Sequence, residues 1–211
     1  MKHLFLAIMV SGVMLATHAL GADASNLLPR TDTAVALDTV RTFFENGTPA
    51  RIYTVLHGTD VREGVSLSYH PNGRVAIEAP YKNGKLDGVF RSHYENGKLW
   101  QTIGYRDGVE DGISTDYFEN GVKRTKEIYK NGVLDGLSEE WFESGVIRRK
   151  MPYSNGQVQG KAQIFDELGA LKEEMEFERG IRHGAYRRYN KGVKVFEARF
   201  ERNRCVENCD F

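Results

Sequence analysis

Apolar and polar residues alternate along short stretches of this chain, and the stretches end at glycine-containing turns. In the clearest one, Val65, Leu67 and Tyr69 alternate with Ser66, Ser68 and His70. Beyond Pro71-Asn72-Gly73, the set Val75, Ile77, Ala79 and Tyr81 alternates with Arg74, Ala76, Glu78 and Pro80. A period of two is that of a β-strand, and Asn-Gly tolerates the positive φ that hairpin turns need, so the stretch predicts a hairpin. A three-residue loop, Pro71-Asn72-Gly73, with its glycine left-handed puts both apolar sets on one face of the sheet; a two-residue Asn-Gly turn puts them on opposite faces. The three-residue loop, with one apolar face, is therefore the expectation. Register in the later stretches stays open.

The same arrangement repeats. Gly64, Gly88, Gly112, Gly136, Gly160 and Gly184 recur every 24 residues. Two further series run in phase: Gly73, Gly97, Gly121, Gly145 and Gly169, followed by Gly192 one residue early, and Gly84, Gly108, Gly132, Gly156 and Gly180. Each unit is thus a hairpin joined to the next by a second turn, and about seven such units fit between residues 40 and 206. Aromatic residues recur before the second turn (Tyr81, Tyr105, Tyr129, Tyr153, Phe177, Phe200) and five residues after the repeat glycine (Tyr69, Tyr117, Trp141, Phe165, Tyr189). Stacked units turn these into columns that pack as a spine. The expected fold is all-β, an elongated antiparallel meander of tandem hairpins.

The ends depart from the period. Asn46-Gly47 and His57-Gly58 mark a first unit with two extra residues before Gly64, and in the last unit Asn203 replaces the final glycine; both read as caps. Residues 25–39 carry no repeat, and residues 207–211 form a tail. At the start, Met1-Lys2-His3 is followed by an apolar run from Leu4 to Ala16, too short to span a bilayer. Ala22-Asp23-Ala24 offers a small-x-small cleavage pattern, with Ala19-Leu20-Gly21 as a second candidate. Residues 1–24 are read as a signal peptide, which implies a periplasmic or secreted protein with no integral membrane segment after cleavage. In an oxidising compartment Cys205 and Cys209 are expected to form a disulfide. An extended strand would hold their Cα atoms about 13 Å apart, beyond the limit near 7 Å, so the tail must curl.

Charge narrows the partners. Lys+Arg and Asp+Glu are both 29, so no net field steers the chain toward nucleic acid or anionic lipid. Few groups that could carry chemistry converge in the repeat. His57, His70, His93 and His183 occupy different slots of the repeat, and His70 and His93 are expected on opposite faces. The adjacent acids Glu139-Glu140 and Glu173-Glu174 face opposite sides of a strand, and the first pair meets Arg148-Arg149-Lys150 across its hairpin as cross-strand ion pairs. No catalytic residue, metal site or cofactor is expected, and the chain is read as a binding protein and not an enzyme. Trp141 sits in a spine column. Trp100 shares its repeat slot with Ala76, Arg124 and Arg148, a mostly polar slot. Trp and Arg are favoured at binding hot spots, so Trp100, Arg124 and Arg148 are the candidate partner-binding stripe.

Stretches such as Tyr81-Lys82-Asn83-Gly84-Lys85-Leu86-Asp87-Gly88, Tyr94-Glu95-Asn96-Gly97-Lys98-Leu99 and Tyr129-Lys130-Asn131-Gly132-Val133-Leu134-Asp135-Gly136 resemble the bacterial variant of the MORN repeat, over about residues 40–206. The chain also resembles the YwqK-family antitoxins, which carry this repeat. The resemblance implies MORN-like hairpin units and a protein partner, a toxin or effector held in check by direct binding, as an immunity protein does. The alternative is a cell-envelope scaffold that binds membrane lipid or cell-wall polymer. An open array also leaves edge strands able to pair into a homodimer.

Overall fold

The computed structural model describes residues 35–210. The leader expected at 1–24, most of the non-repeat segment expected at 25–39 and the final residue lie outside the described residues. The first strand, Leu37–Phe43, takes in the end of that non-repeat segment. From there to Arg204–Glu207 the chain forms one antiparallel sheet of eighteen strands in which the long strands pair in the order they are met, and the two-residue strands Lys85–Leu86, Val133–Leu134 and Gln157–Val158 pair with the long strand before them.

Two kinds of turn alternate until the last hairpin, which closes instead with the two-residue turn Lys191-Gly192. At the first, His70 N donates to Arg74 O (2.8 Å), Gly73 N donates to His70 O (2.9 Å), and Gly73 has φ 81°, which is the three-residue loop with a left-handed glycine. The Asn72 carboxamide holds this loop twice: Oδ1 accepts from Arg74 N at 3.0 Å, and Nδ2 donates to Glu95 O in the next unit at 2.9 Å. Asn120 does the same with Val122 N (2.8 Å) and Glu143 O (3.0 Å). Neighbouring loops are therefore tied together by side chains.

The second turn has two residues, both left-handed: Asn83 at φ 50° and Gly84 at φ 78°. That is the I′ geometry whose twist suits a hairpin. Gly84 N donates back to Arg62 O (2.8 Å) and Gly108 N to Leu86 O (2.7 Å), so each turn is anchored to the preceding unit. The acidic residue ahead of the repeat glycine supplies a second anchor: Glu63 Oε2 accepts from Asn83 N at 2.7 Å and Asp87 Oδ2 from Asp107 N at 3.2 Å. At the C-terminal end Asn203 takes the glycine's place with φ 67°, and its N–H donates to Arg182 O (2.9 Å).

The single apolar face expected for residues 65–81 is corrected by the pairing. Val65 lies opposite Pro80 and Leu67 opposite Glu78, while Ser66, Ser68 and Gly64 lie opposite Ala79, Ile77 and Tyr81. The two apolar sets therefore point to opposite faces. The loop is as expected, but the register shifts between Ser68 and Tyr69, where Tyr69 pairs with Val75 and Ser68 with Ile77, leaving Ala76 as a β-bulge. One extra residue inverts the alternation beyond it.

Burial follows this register. Ser66 (7% exposed), Ala79 (5%), Ser92 (4%) and Ile103 (8%) line one face of the sheet, whereas Val65 on the other is 55% exposed. The column from Tyr81 to Phe200 belongs to the first face, and Arg62 stacks at its N-terminal end, 4.7 Å from the Tyr53 ring and 5.0 Å from Tyr81. The column from Tyr69 to Tyr189 belongs to the second face, and His93 occupies the slot between Tyr69 and Tyr117. A single layer of hairpins buries no large side chain completely among the described residues. Its stability comes from ladder hydrogen bonds, columns and nearest-neighbour contacts. At the C-terminal end Cys205 and Cys209 are joined, with Cα atoms 5.8 Å apart.

Candidate functional site

The bulge recurs in every hairpin of the array and decides where the most distinctive exposed side chains point. The register shift at Ser92/His93 leaves Trp100 unpaired between Leu99 and Gln101. The shifts at Asp116/Tyr117 and Glu140/Trp141 do the same to Arg124 and Arg148. A bulged residue leaves the ladder and its side chain is re-aimed. The slot singled out in the sequence is thus the bulge slot.

Each of these three side chains lies over the aromatic residue six positions earlier, at the entrance to the three-residue loop. Trp100 packs on Tyr94 with ring centroids 6.2 Å apart and planes tilted by 43°. The Arg124 guanidinium lies 6.0 Å from the Phe118 centroid and that of Arg148 5.7 Å from Phe142. A guanidinium over a ring is attracted by the ring quadrupole and keeps its N–H edge free to donate. Trp100 is 51% exposed and Arg124 and Arg148 are exposed. The pairs stop at three units: upstream the same slots hold His70 and Ala76, downstream Asp166 and Lys172.

The surroundings fix these rungs. Tyr94 Oη donates to Tyr117 O at 2.7 Å, and His70 Nε2 makes the equivalent bond to His93 O at 2.9 Å. Burial pushes the Tyr94 hydroxyl pKa up, the Glu119 carboxylate adds to the rise and Arg124 opposes it. Glu140 accepts from both Arg148 (2.9 Å) and Arg149 (3.0 Å), while Arg124 has no ion pair among the described residues. On the loop tips beside the stripe, Glu95, Glu119 and Glu143 form an exposed acidic row at the same spacing.

Elsewhere several charged groups are paired with one another. Arg187 Nε donates to Glu197 Oε1 at 2.7 Å, and its Nη1 lies 3.5 Å from Glu174 and 3.7 Å from Glu176, beside a hollow of about 430 Å³. Glu174 is 8% exposed; burial raises its pKa, but hydrogen bonds from Gln163 and Lys161 bring it below the usual carboxylate value. A second hollow, about 180 Å³, is apolar and lies between Met151, Ala162, Ile164, Met175 and Phe177. The histidines are dispersed: His57 binds Asp38 (2.9 Å), His93 lies 3.9 Å from Glu78 and His183 3.8 Å from Glu178. No group of three or more His, Cys, Asp or Glu side chains able to hold a metal converges among the described residues. Glu173 and Glu174 pair with Arg188 and Arg187 on opposite faces, and Glu139 meets Lys150 across its hairpin and Lys126 at 3.7 Å in the preceding unit.

Sequence reasoning singled out Trp100, Arg124 and Arg148 but missed their ring partners Tyr94, Phe118 and Phe142. The signal was present, an aromatic residue immediately before the loop in three successive units. Four units, residues 62–83, 86–107, 110–131 and 134–155, match the MORN repeat variant. All three rungs fall inside matched units, and the hairpins continue beyond the last match to Glu207. No match was found among curated proteins.

Proposed function

We propose that this chain is an exported, non-enzymatic binding protein that holds a protein partner against its bulge stripe, and that the partner is a toxin or effector which it neutralises by direct contact. The observation that carries this reading is the run of three rungs, Tyr94/Trp100, Phe118/Arg124 and Phe142/Arg148, aligned in consecutive units. Exposed tryptophan and ring-stacked arginine are the side chains that dominate binding energy at protein interfaces. A rigid hairpin array presents them preorganised, which lowers the entropy lost on association. Neutralising a toxin needs only a complementary surface and no reacting group in this chain. The likeness to the YwqK-family antitoxins supports the toxin as the kind of partner.

The test is co-purification of the tagged chain from its native cell envelope, with the bound material identified by mass spectrometry. One stoichiometric protein, harmful to cells that lack this chain and harmless beside it, is the expected result. Recovery of lipid or wall fragments alone would overturn the reading and favour an envelope scaffold.

A further inference from the structure

We infer that the bulge stripe reads an extended, polyproline-II-like segment of its partner that places one apolar and two acidic side chains at every third position. The inference rests on the protein-binding reading above and names the chemistry of the contact.

Spacing carries the first part. Trp100, Arg124 and Arg148 occupy the same slot of successive units, and each unit adds two long strands to the sheet. Strands lie about 4.8 Å apart, so equivalent slots recur about every 9.6 Å. A polyproline-II helix rises about 3.1 Å per residue with three residues per turn, so every third side chain lies on one line about 9.3 Å apart. Over the two intervals of the stripe the mismatch is only about half an ångström. Other backbones fit worse. A β-strand returns to one face every second residue, about 6.7 Å, and an α-helix returns to one face at i+7, about 10.5 Å, which drifts about 1.8 Å over the two intervals.

Chemistry carries the second part. The tilted Tyr94–Trp100 pair is an uncharged aromatic surface, the kind on which proline-rich segments dock. Arg124 is held on the Phe118 ring with its guanidinium edge available to a carboxylate, and Arg148, on the Phe142 ring, gives Nη1 to Glu140 and keeps its other donors. Arg124 has no ion pair among the described residues, and Arg148 shares Glu140 with Arg149. The acidic row Glu95, Glu119 and Glu143 runs alongside on the loop tips. A ligand carboxylate on the stripe meets an arginine, and one displaced sideways onto the acidic row is repelled. Two parallel tracks of opposite sign thus select the charge of the ligand and the side of the loops on which it lies.

The experiment measures binding of labelled peptides to the full chain by fluorescence anisotropy at low salt. One proline-rich peptide carries leucine, glutamate and glutamate at every third position, a second carries them in reverse order, and a third has the same composition with those residues at every second position. One of the first two is expected to bind about tenfold tighter than the third. Arg124→Glu with Arg148→Glu is expected to remove the preference for glutamate over glutamine, and Trp100→Ala the preference for leucine over serine. Equal binding of all three peptides, or none, overturns the extended-segment inference. If the same variants still abolish capture of the native partner, the protein-binding reading stands without it. If no protein is captured and chito-oligosaccharide shifts the Trp100 fluorescence, both fail in favour of a glycan ligand.

Discussion

Alanine at Gly136 should damage the array far more than alanine at an open turn glycine. Gly136 has φ 145°, and a Cβ built there would meet Ile128 Cβ and Cδ1 at 2.9 Å. Two costs combine. Holding an L-residue in this glycine-only backbone region costs about 1–3 kcal/mol, and forcing a methyl into a filled site costs about 1–3 kcal/mol more. The sum, about 2–6 kcal/mol, is a large share of the stability of an ordinary domain. Gly73→Ala is the control, because Gly73 is left-handed at φ 81° with nothing within 4 Å of its Cβ position. It bears only the backbone cost, about 1–2 kcal/mol. A repeat array need not unfold in one step, so the assay is amide hydrogen exchange read unit by unit. Protection should fall most in the strands Lys123–Lys130 and Gly136–Trp141, where Ile128 and Gly136 sit. Ile128→Ala in the Gly136→Ala background should return part of the loss, since the two sites share one space. Equal destabilisation by Gly136→Ala and Gly73→Ala, or no coupling to Ile128, would refute this account of the repeat glycine.

Three further outcomes follow from particular contacts. His57 Nδ1 lies 2.9 Å from Asp38 Oδ1, which raises the histidine above its ordinary pKa and, through the same bond, lowers the carboxyl. The histidine's contribution is present below its unfolded pKa of about 6.5 and is lost as pH rises through its folded value; the carboxylate's is present above about 3.9 and is lost on acidification. The bond between the first two strands is therefore firmest between those limits, and Asp38→Asn should lower the His57 pKa in an NMR titration, an unchanged value counting against the contact. Asn120→Ala removes the bonds to Val122 N and Glu143 O and should cost about 1–2 kcal/mol, seen as faster exchange in its own loop and the next. Reduction of Cys205–Cys209 opens a five-residue loop, worth about 2 kcal/mol in chain entropy. Exchange should rise in the strand Arg204–Glu207 while the loops at Tyr94 and Phe118 keep their protection.

Turn chemistry was the most legible feature of the chain, because glycine and asparagine at fixed offsets report φ directly. Pro71-Asn72-Gly73 and Asn83-Gly84 have the loop lengths their residues imply. Where Arg179 and Arg202 hold the first left-handed position instead of asparagine or aspartate, at φ 50° in both, the period alone identifies the turn. Face assignment was not legible. Alternation of Val65, Leu67 and Tyr69 with serines, and of Ile77, Ala79 and Tyr81 with polar residues, is locally sound on each strand, but the bulge at Ala76 reverses one strand against the other. A bulge has no fixed residue type: its slot holds alanine, tryptophan, arginine and lysine in successive units. The same fact explains the candidate stripe. Trp100, Arg124 and Arg148 stood out because their slot escapes the demands of the ladder, and only the three-dimensional register places them over Tyr94, Phe118 and Phe142.

The central claim is that these three rungs form the recognition surface. The most direct measurement is the affinity of the captured partner for the triple variant Trp100→Ala, Arg124→Glu, Arg148→Glu beside the unaltered chain, with circular dichroism and hydrogen exchange establishing that both remain folded. Removing one aromatic anchor and reversing two charges at an interface core is expected to weaken binding by at least about a hundredfold. Unchanged affinity in a folded variant would contradict the account and move the binding surface elsewhere on the sheet.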